Sequence, residues 1–195
     1  MKKTDCISII IISLALIFIL GSCAKPPTAE VEEAKAAVAG AESNSDVQMY
    51  AADALAKAKD SLTRMKKELD AKKYDSARTL ALEATKNAGE AVSSAKTAKE
   101  RIKTSTSAVL GSLKNALIET EKALTEAKKI RGIKLDFTSS DAEIDAVRKA
   151  LASAEIDFNA ASYKTAAEKG ESAQSRLSSL TKSISDAVRS ASKKK

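Results

Sequence analysis

Residues 74–102, YDSARTLALEATKNAGEAVSSAKTAKERI, decide the fold. Tyr74, Ala77, Ala81, Ala84, Ala88, Ala91, Ala95, Ala98 and Ile102 recur at steps of three and four, the spacing that lines one face of an α-helix. Nearly every inward position is Ala. Such a seam lets helix axes come closer than the usual interaxial distance of about 8–10 Å, but each residue buries little area, so stability must come from length and from Leu-rich partners. Between 74 and 130 the weak points are Gly89, Gly111 and the run Thr104-Ser105-Thr106-Ser107. Unbroken, this helix is about 57 residues and ~85 Å long at ~1.5 Å per residue; a break within 104–107 is the competing reading.

Towards the amino terminus, Pro26-Pro27 is a stiff entry and Thr28 is placed to cap a first helix, with Glu30, Glu32 and Glu33 in its first turns. Val31, Ala34, Val38 and Ala41 form its apolar face. Ser45 with Gln48 has the form of a capping box, and Ala52, Leu55, Ala58, Leu62, Met65 and Leu69 predict one second helix of about six turns. Towards the carboxyl terminus, Arg131-Gly132 stops the long helix, and Ser140 with Glu143 offers a second capping box. Ile144, Val147, Leu151, Ala154 and Phe158 predict a fourth helix. A fifth carries Tyr163, Ala166, Gly170, Ala173, Leu177, Leu180, Ile184, Ala187 and Ala191.

Shifting the chain by 89 residues superposes Leu55 on Ile144, Leu62 on Leu151, Ala71 on Ala160, Tyr74 on Tyr163, Ala77 on Ala166 and Ala84 on Ala173. The shared core, Ala-x-x-Tyr-x-x-Ala at a helix-to-helix turn, marks an internal duplication, and the same local pattern occurs in tetratricopeptide-like hairpins. Two copies are fewer than a solenoid needs. The expected fold is all-α: an elongated antiparallel bundle of coiled-coil-like hairpins, about five helices in two helical units, 29–104 and 105–192, with a long central helix. A basic tail, 193–195, closes the chain.

Composition supports an all-helical reading, with 6 Gly, 2 Pro and abundant Ala, Lys, Glu and Leu in 195 residues. There is no His and no Trp, so imidazole metal ligands are missing and the core cannot rest on large aromatic rings. The formal net charge is +7.

The first 23 residues are of another kind. Lys2 and Lys3 precede an apolar stretch, 7–20, that ends in Leu20-Gly21-Ser22-Cys23, the order of basic, apolar and small segments found in secretory signals. The stretch is shorter than the ~20 residues of a transmembrane helix. Residues 2–23 resemble a bacterial lipoprotein signal with its lipobox. That resemblance implies a signal peptide over 1–22, cleavage between Ser22 and Cys23, a diacylglyceryl thioether and usually further acylation at Cys23, and a lipidated Cys with Pro linker over 23–28. Ala24, in place of an Asp after the Cys, implies the outer membrane. Removal of 1–22 takes away Lys2, Lys3 and Asp5, leaving 173 residues and a charge of +6. With Cys6 gone and Cys23 a thioether, no disulfide can form within the mature monomer.

From Cys23 through the Pro pair to the Tyr74 turn and its Ala seam, the chain resembles the Ala-rich helical lipoproteins of domain of unknown function 4398. Location and a helical fold are what this family implies; no activity comes with it.

Candidate chemistry is sparse. Ser-x-x-Lys occurs at Ser93 to Lys96, Ser179 to Lys182 and Ser190 to Lys193 without the partner motifs of acyl-enzymes, at a spacing that Lys-rich helices give by chance. Carboxylates such as Glu30, Glu32, Glu33, Glu119, Glu121, Asp141, Glu143 and Asp145 read as solvated helix faces. No catalytic, cofactor or metal residue is assigned, and no enzyme activity is expected. Lys57, Lys59, Arg64, Lys66, Lys67, Lys72 and Lys73 could meet an anionic envelope polymer, but no aromatic platform serves nucleic acid. Ending on Lys, the chain is also similar to the murein lipoprotein, which would bring peptidoglycan to the tail; a solvated tail is the plainer reading. The expectation is a non-enzymatic cell-envelope protein held in membrane lipid through acylated Cys23, with a structural or protein-interaction role. The rival is a surface adhesin or a polyanion- or peptidoglycan-binding lipoprotein, and self-association through the long seams stays open.

Overall fold

The computed structural model describes residues 25–193, so Ser22, Cys23, Lys194 and Lys195 lie outside the described residues. The described chain is all-α, with no strand, in six helices: α1 Thr28–Ser43, α2 Ser45–Tyr50, α3 Ala52–Asp70, α4 Tyr74–Lys128, α5 Phe137–Asn159 and α6 Tyr163–Ser192. The long central helix is continuous over 55 residues. Weak helix formers do not break it, because Thr104 Oγ1 donates to the Glu100 carbonyl and Ser105 Oγ to that of Ile102, both at 3.0 Å, while Thr106 is buried. Hydroxyls that bond back to their own helix satisfy themselves without leaving it.

Helix starts are where the sequence reading needs correction. Thr28 is not a cap; Pro27 holds that position without a side-chain bond, and Val31 N–H donates to its carbonyl at 3.0 Å. Proline's fixed φ already suits the entry. Asn44, one residue before Ser45, caps α2, its Oδ1 accepting from Asp46 N–H at 2.9 Å and Val47 N–H at 3.4 Å, and Gln48 turns away to donate to the Glu42 carbonyl. The single second helix is two, divided at Ala51 with φ −143° and ψ 35°. Ala51 takes the buried place and Ala52 is exposed. The second capping box fails likewise: Asp136 caps α5 by accepting from Ser139 N–H at 3.0 Å, Ser140 is buried with its Oγ donating to the Asp136 carbonyl, and Glu143 faces Arg176. Asn, Asp and Ser cap about equally well, so which of the neighbouring residues takes the free N–H groups is set by where the helix starts.

Two compact units divide between Ala95 and Lys96. In the first, Val31, Ala34, Val38 and Ala41 of α1 share a core with Leu55, Ala58 and Met65 of α3 and with Ala81, Ala84, Ala88, Ala91 and Ala95 of α4. In the second, Leu110, Leu113, Leu117 and Leu124 of α4 meet Ile144, Val147, Leu151 and Ala154 of α5 and Ala173, Leu177, Leu180 and Ile184 of α6. Tyr74, Ala98 and Ile102, which the seam included, are half-buried.

The duplication is written in the backbone. Lys72 (φ 57°) and Ala161 (φ 60°) occupy the left-handed region at positions 89 apart. Around each, four bonds repeat: Ala71 to Lys67 and Ala160 to Ile156, Lys72 to Leu69 and Ala161 to Phe158, Lys73 to Glu68 and Ser162 to Asp157, Ala77 to Lys73 and Ala166 to Ser162, each N–H donating to the named carbonyl. The middle two are the paired bonds of a Schellman stop. Buried positions extend the match to helices the sequence left unaligned. At a shift of 79, Pro27, Val31, Ala34, Val38 and Ala41 correspond to Thr106, Leu110, Leu113, Leu117 and Thr120, all buried. The shift becomes 89 by the buried pair Ala51 and Ser140. The first connector, 42–50, is thus ten residues shorter than the second, 121–139.

Candidate functional site

The residues singled out for chemistry lie either outside the described residues or on exposed helix surfaces. Ser22 and Cys23 are of the first kind. Among Ser-x-x-Lys sequences, Ser93 Oγ donates to the Glu90 carbonyl and Ser179 Oγ to that of Ser175, while Lys182 turns to Asp186 at 2.7 Å. The carboxylates are engaged on helix surfaces: Glu30 with Arg78, Glu32 with Lys35, Glu121 and Asp145 with Arg148, Asp141 with Lys128, and Glu143 with Arg176. The best formed of these is the last, Arg176 Nε to Oε1 at 2.6 Å and Nη2 to Oε2 at 2.8 Å.

These pairings set the proton affinities. Glu143 is held below the usual carboxylate range by the hydrogen bond from Arg176, and Asp186 by that from Lys182. Glu30 is lowered first by a backbone N–H and further by Arg78. Arg176, Arg148 and Lys182 are raised by Glu143, Glu121 and Asp186 respectively. Each of these shifts moves its group farther from neutrality, whereas a general acid or base needs its pKa brought towards the working pH.

Two polar clusters reach inward. Ser61 is buried beside Glu83 and Asn87: its Oγ donates to Glu83 Oε1 at 2.8 Å and accepts from Asn87 Nδ2 at 3.1 Å. In the second unit Thr120 and Thr181 hydroxyls lie 2.8 Å apart, and Lys169 Nζ stands 2.8 Å from Ser153 Oγ and 2.5 Å from Asp157 Oδ2. Phe158 meets Tyr163 edge-on at 5.1 Å, and Lys103 Nζ lies 5.9 Å from the Tyr163 ring centre. These contacts fix helix register.

The concavities are open grooves: about 450 Å³ beside Asp136, Glu143, Arg176 and Ser179; about 660 Å³ beside Lys134, Ser183 and Asp186; and about 460 Å³ beside Arg64, Glu68 and Glu83. Among the described residues no group of three His, Cys, Asp or Glu could hold a metal ion.

Three of the seven cations of the basic run along α3 and its turn are answered by acids. Lys59 pairs with Glu42, Arg64 with Asp60 at 3.8 Å and Lys73 with Glu68 at 3.6 Å. Residues 25–95 hold 11 Lys and Arg against 12 Asp and Glu, whereas 96–193 hold 18 against 13. Sequence reading missed that the surplus belongs to the second unit; the signal was the acid-free run Lys128, Lys129, Arg131, Lys134.

No curated protein and no solved structure matches the chain. The resemblance drawn along the Val31-to-Tyr74 pattern is borne out over the first repeat: residues 29–104, which span α1, α2, α3 and the beginning of α4, match the family described as Domain of unknown function (DUF4398), and this segment carries that domain.

Proposed function

We propose that the chain is a non-catalytic, lipid-anchored protein of the bacterial cell envelope, acylated at Cys23 after loss of 1–22 and held in the outer membrane, where its helical units present charged faces to envelope partners. The observation that carries this reading is the tetrapeptide Leu20-Gly21-Ser22-Cys23 closing an apolar run, with water-facing helices beginning at Thr28. Among the described residues no helix is long and apolar enough to cross a membrane, and this reading assigns attachment to acyl chains on Cys23. Two or three chains are required, because one alone binds a bilayer only marginally. A non-catalytic role is supported by open grooves and by carboxylates held ionised in ion pairs.

Mass spectrometry of the amino-terminal peptide from bacterial membranes tests the anchor. The expected species begins at Cys23 and carries a diacylglyceryl thioether. Cys23→Ala is expected to move the protein into the soluble fraction or leave it unprocessed. A free Cys23 thiol on a membrane-bound chain, or membrane retention of a processed Cys23→Ala chain, overturns the reading.

A further inference from the structure

The duplicated units differ most in their connectors. Residues 42–50 of the first carry Glu42 and Asp46 and fold into α2, whereas 121–139 of the second is ten residues longer and, besides Glu121, Glu126 and Asp136, contains the stretch 128–134 with Lys128, Lys129, Arg131 and Lys134 and no acid between them. This longer connector borders the groove of about 660 Å³, whose walls include Gly132, Lys134 and Asp136 on one side and Ser183, Asp186 and Ser190 of α6 on the other. The end of α6 adds Arg189 and Lys193. Arg131, Lys134 and Lys193 are exposed and make no ion pair among the described residues, and exposed Arg189 acts on Asp186 only through its field, whereas Lys128 and Lys129 are matched by Asp141 and Glu126. Asp136 is occupied as the α5 cap and Asp186 by Lys182.

We infer that this end of the second unit binds a phosphate-bearing polyanion by charge. The walls named above include no aromatic ring on which a neutral sugar or base could stack. None of the large exposed apolar side chains, Met49, Leu82, Val92, Ile118 and Ile156, belongs to the connector or the end of α6, so contact is with a charged polymer rather than by insertion into a bilayer. Phosphate is favoured over a polypeptide carboxylate because a phosphate chain carries its anionic oxygens on the backbone itself, where a guanidinium fork can engage the two of one unit, whereas each Glu carboxylate hangs on a flexible side chain whose ordering costs entropy. The inference rests on the envelope reading only for where the polymer is met.

The full chain, kept in non-ionic detergent, is titrated with long-chain inorganic polyphosphate, with polyglutamate and phosphatidylglycerol vesicles in parallel. Binding of polyphosphate is expected to weaken with salt. The triple change Arg131→Glu, Lys134→Glu, Lys193→Glu should weaken it by more than about tenfold, on the basis of roughly 1 kcal/mol for each cation facing an anionic surface. Lys66→Glu, Lys67→Glu, Lys72→Glu in the first unit alters net charge equally and should change affinity by less than about twofold if location matters more than total charge. Unchanged helical circular dichroism in both shows that folding is preserved. Equal losses in the two triples, equal binding of polyglutamate, or binding of vesicles alone would each overturn the inference. Cys23→Ala should bind polyphosphate as the parent does, so failure of the anchor and failure of this site are read separately.

Discussion

The first unit holds its helices together with Ala and the second with Leu. Near the turn the two agree, Ala77 with Ala166, Ala81 with Gly170 and Ala84 with Ala173; farther along they part, Ala88 against Leu177, Ala91 against Leu180 and Ala95 against Ile184, every one buried. The same holds for the facing helix, where Ala34 stands opposite in role to Leu113 and Val38 to Leu117. Each Ala-to-Leu difference adds three carbons, or about 2 kcal/mol of burial at roughly 0.8 kcal/mol per CH₂. One topology thus tolerates two side-chain volumes, provided both faces change together. Gly170 shows how tight the small positions are, since a Cβ there would lie 3.1 Å from Leu110 Cδ2.

Exchanging volumes between the units breaks this comparison most severely. Leu177→Ala leaves a hole in a Leu-lined core and should cost about 2–5 kcal/mol, read as a lower denaturant midpoint for the second unit. Its mirror, Ala88→Leu, crowds a seam built for methyl groups and should cost about 1–3 kcal/mol. A stabilising Ala88→Leu would mean that the first unit has unfilled space and that the two cores differ by accident.

The turns sharpen the comparison at intermediate size. Lys72→Gly and Ala161→Gly each relieve a side chain in the left-handed region, and each should raise stability by about 0.5–1 kcal/mol, judged from the Cβ penalty there less the entropy of Gly. Equal gains would confirm in energy what the matched bonds show in geometry; a gain at one site alone would separate the two turns.

The smallest effect is in acid. Glu143 titrates below its unfolded value, so the stability it adds is full above the unfolded carboxylate pKa of about 4.3 and is lost as pH falls through the lower folded value. Glu143→Gln should remove that increment from the second unit at neutral pH and flatten its acid limb, with a melting shift of about a degree or two for an exposed pair. A steeper loss than in Glu30→Gln of the first unit would show that the two-pronged Arg176 contact outweighs the backbone N–H and single Arg78 bond that together hold Glu30.

Helix type, order and the seams were legible in the sequence because periodicity reports burial directly: Val31, Ala34, Val38 and Ala41, and Ile144, Val147, Leu151 and Ala154, are buried as predicted. Starts were not, because several residues near each end could accept the same N–H groups, and Asn44 and Asp136 prevailed over Ser45 and Ser140. The break at Ala51 carries no breaker residue, so only packing could reveal it. The first helices of the two repeats went unaligned because Pro27, Ala34 and Ala41 share no residue type with Thr106, Leu113 and Thr120, and the ten-residue connector difference shifts their register. Charge location was missed because the cations of α3 were weighed without the acids around them; counted together, the acids of 25–95 outnumber its cations, and the acid-free stretch 128–134 marks the second unit.

The edge-on contact of Phe158 with Tyr163, with Lys103 near the ring, has a spectroscopic use. The chain has three Tyr and no Trp, so phenol emission is not drained by energy transfer to indole. Replacing Tyr50 and Tyr74 by Phe leaves one fluorophore, wedged at the α5–α6 turn beside an aromatic edge and a cation, whose quenching reports on the second repeat while the first stays dark.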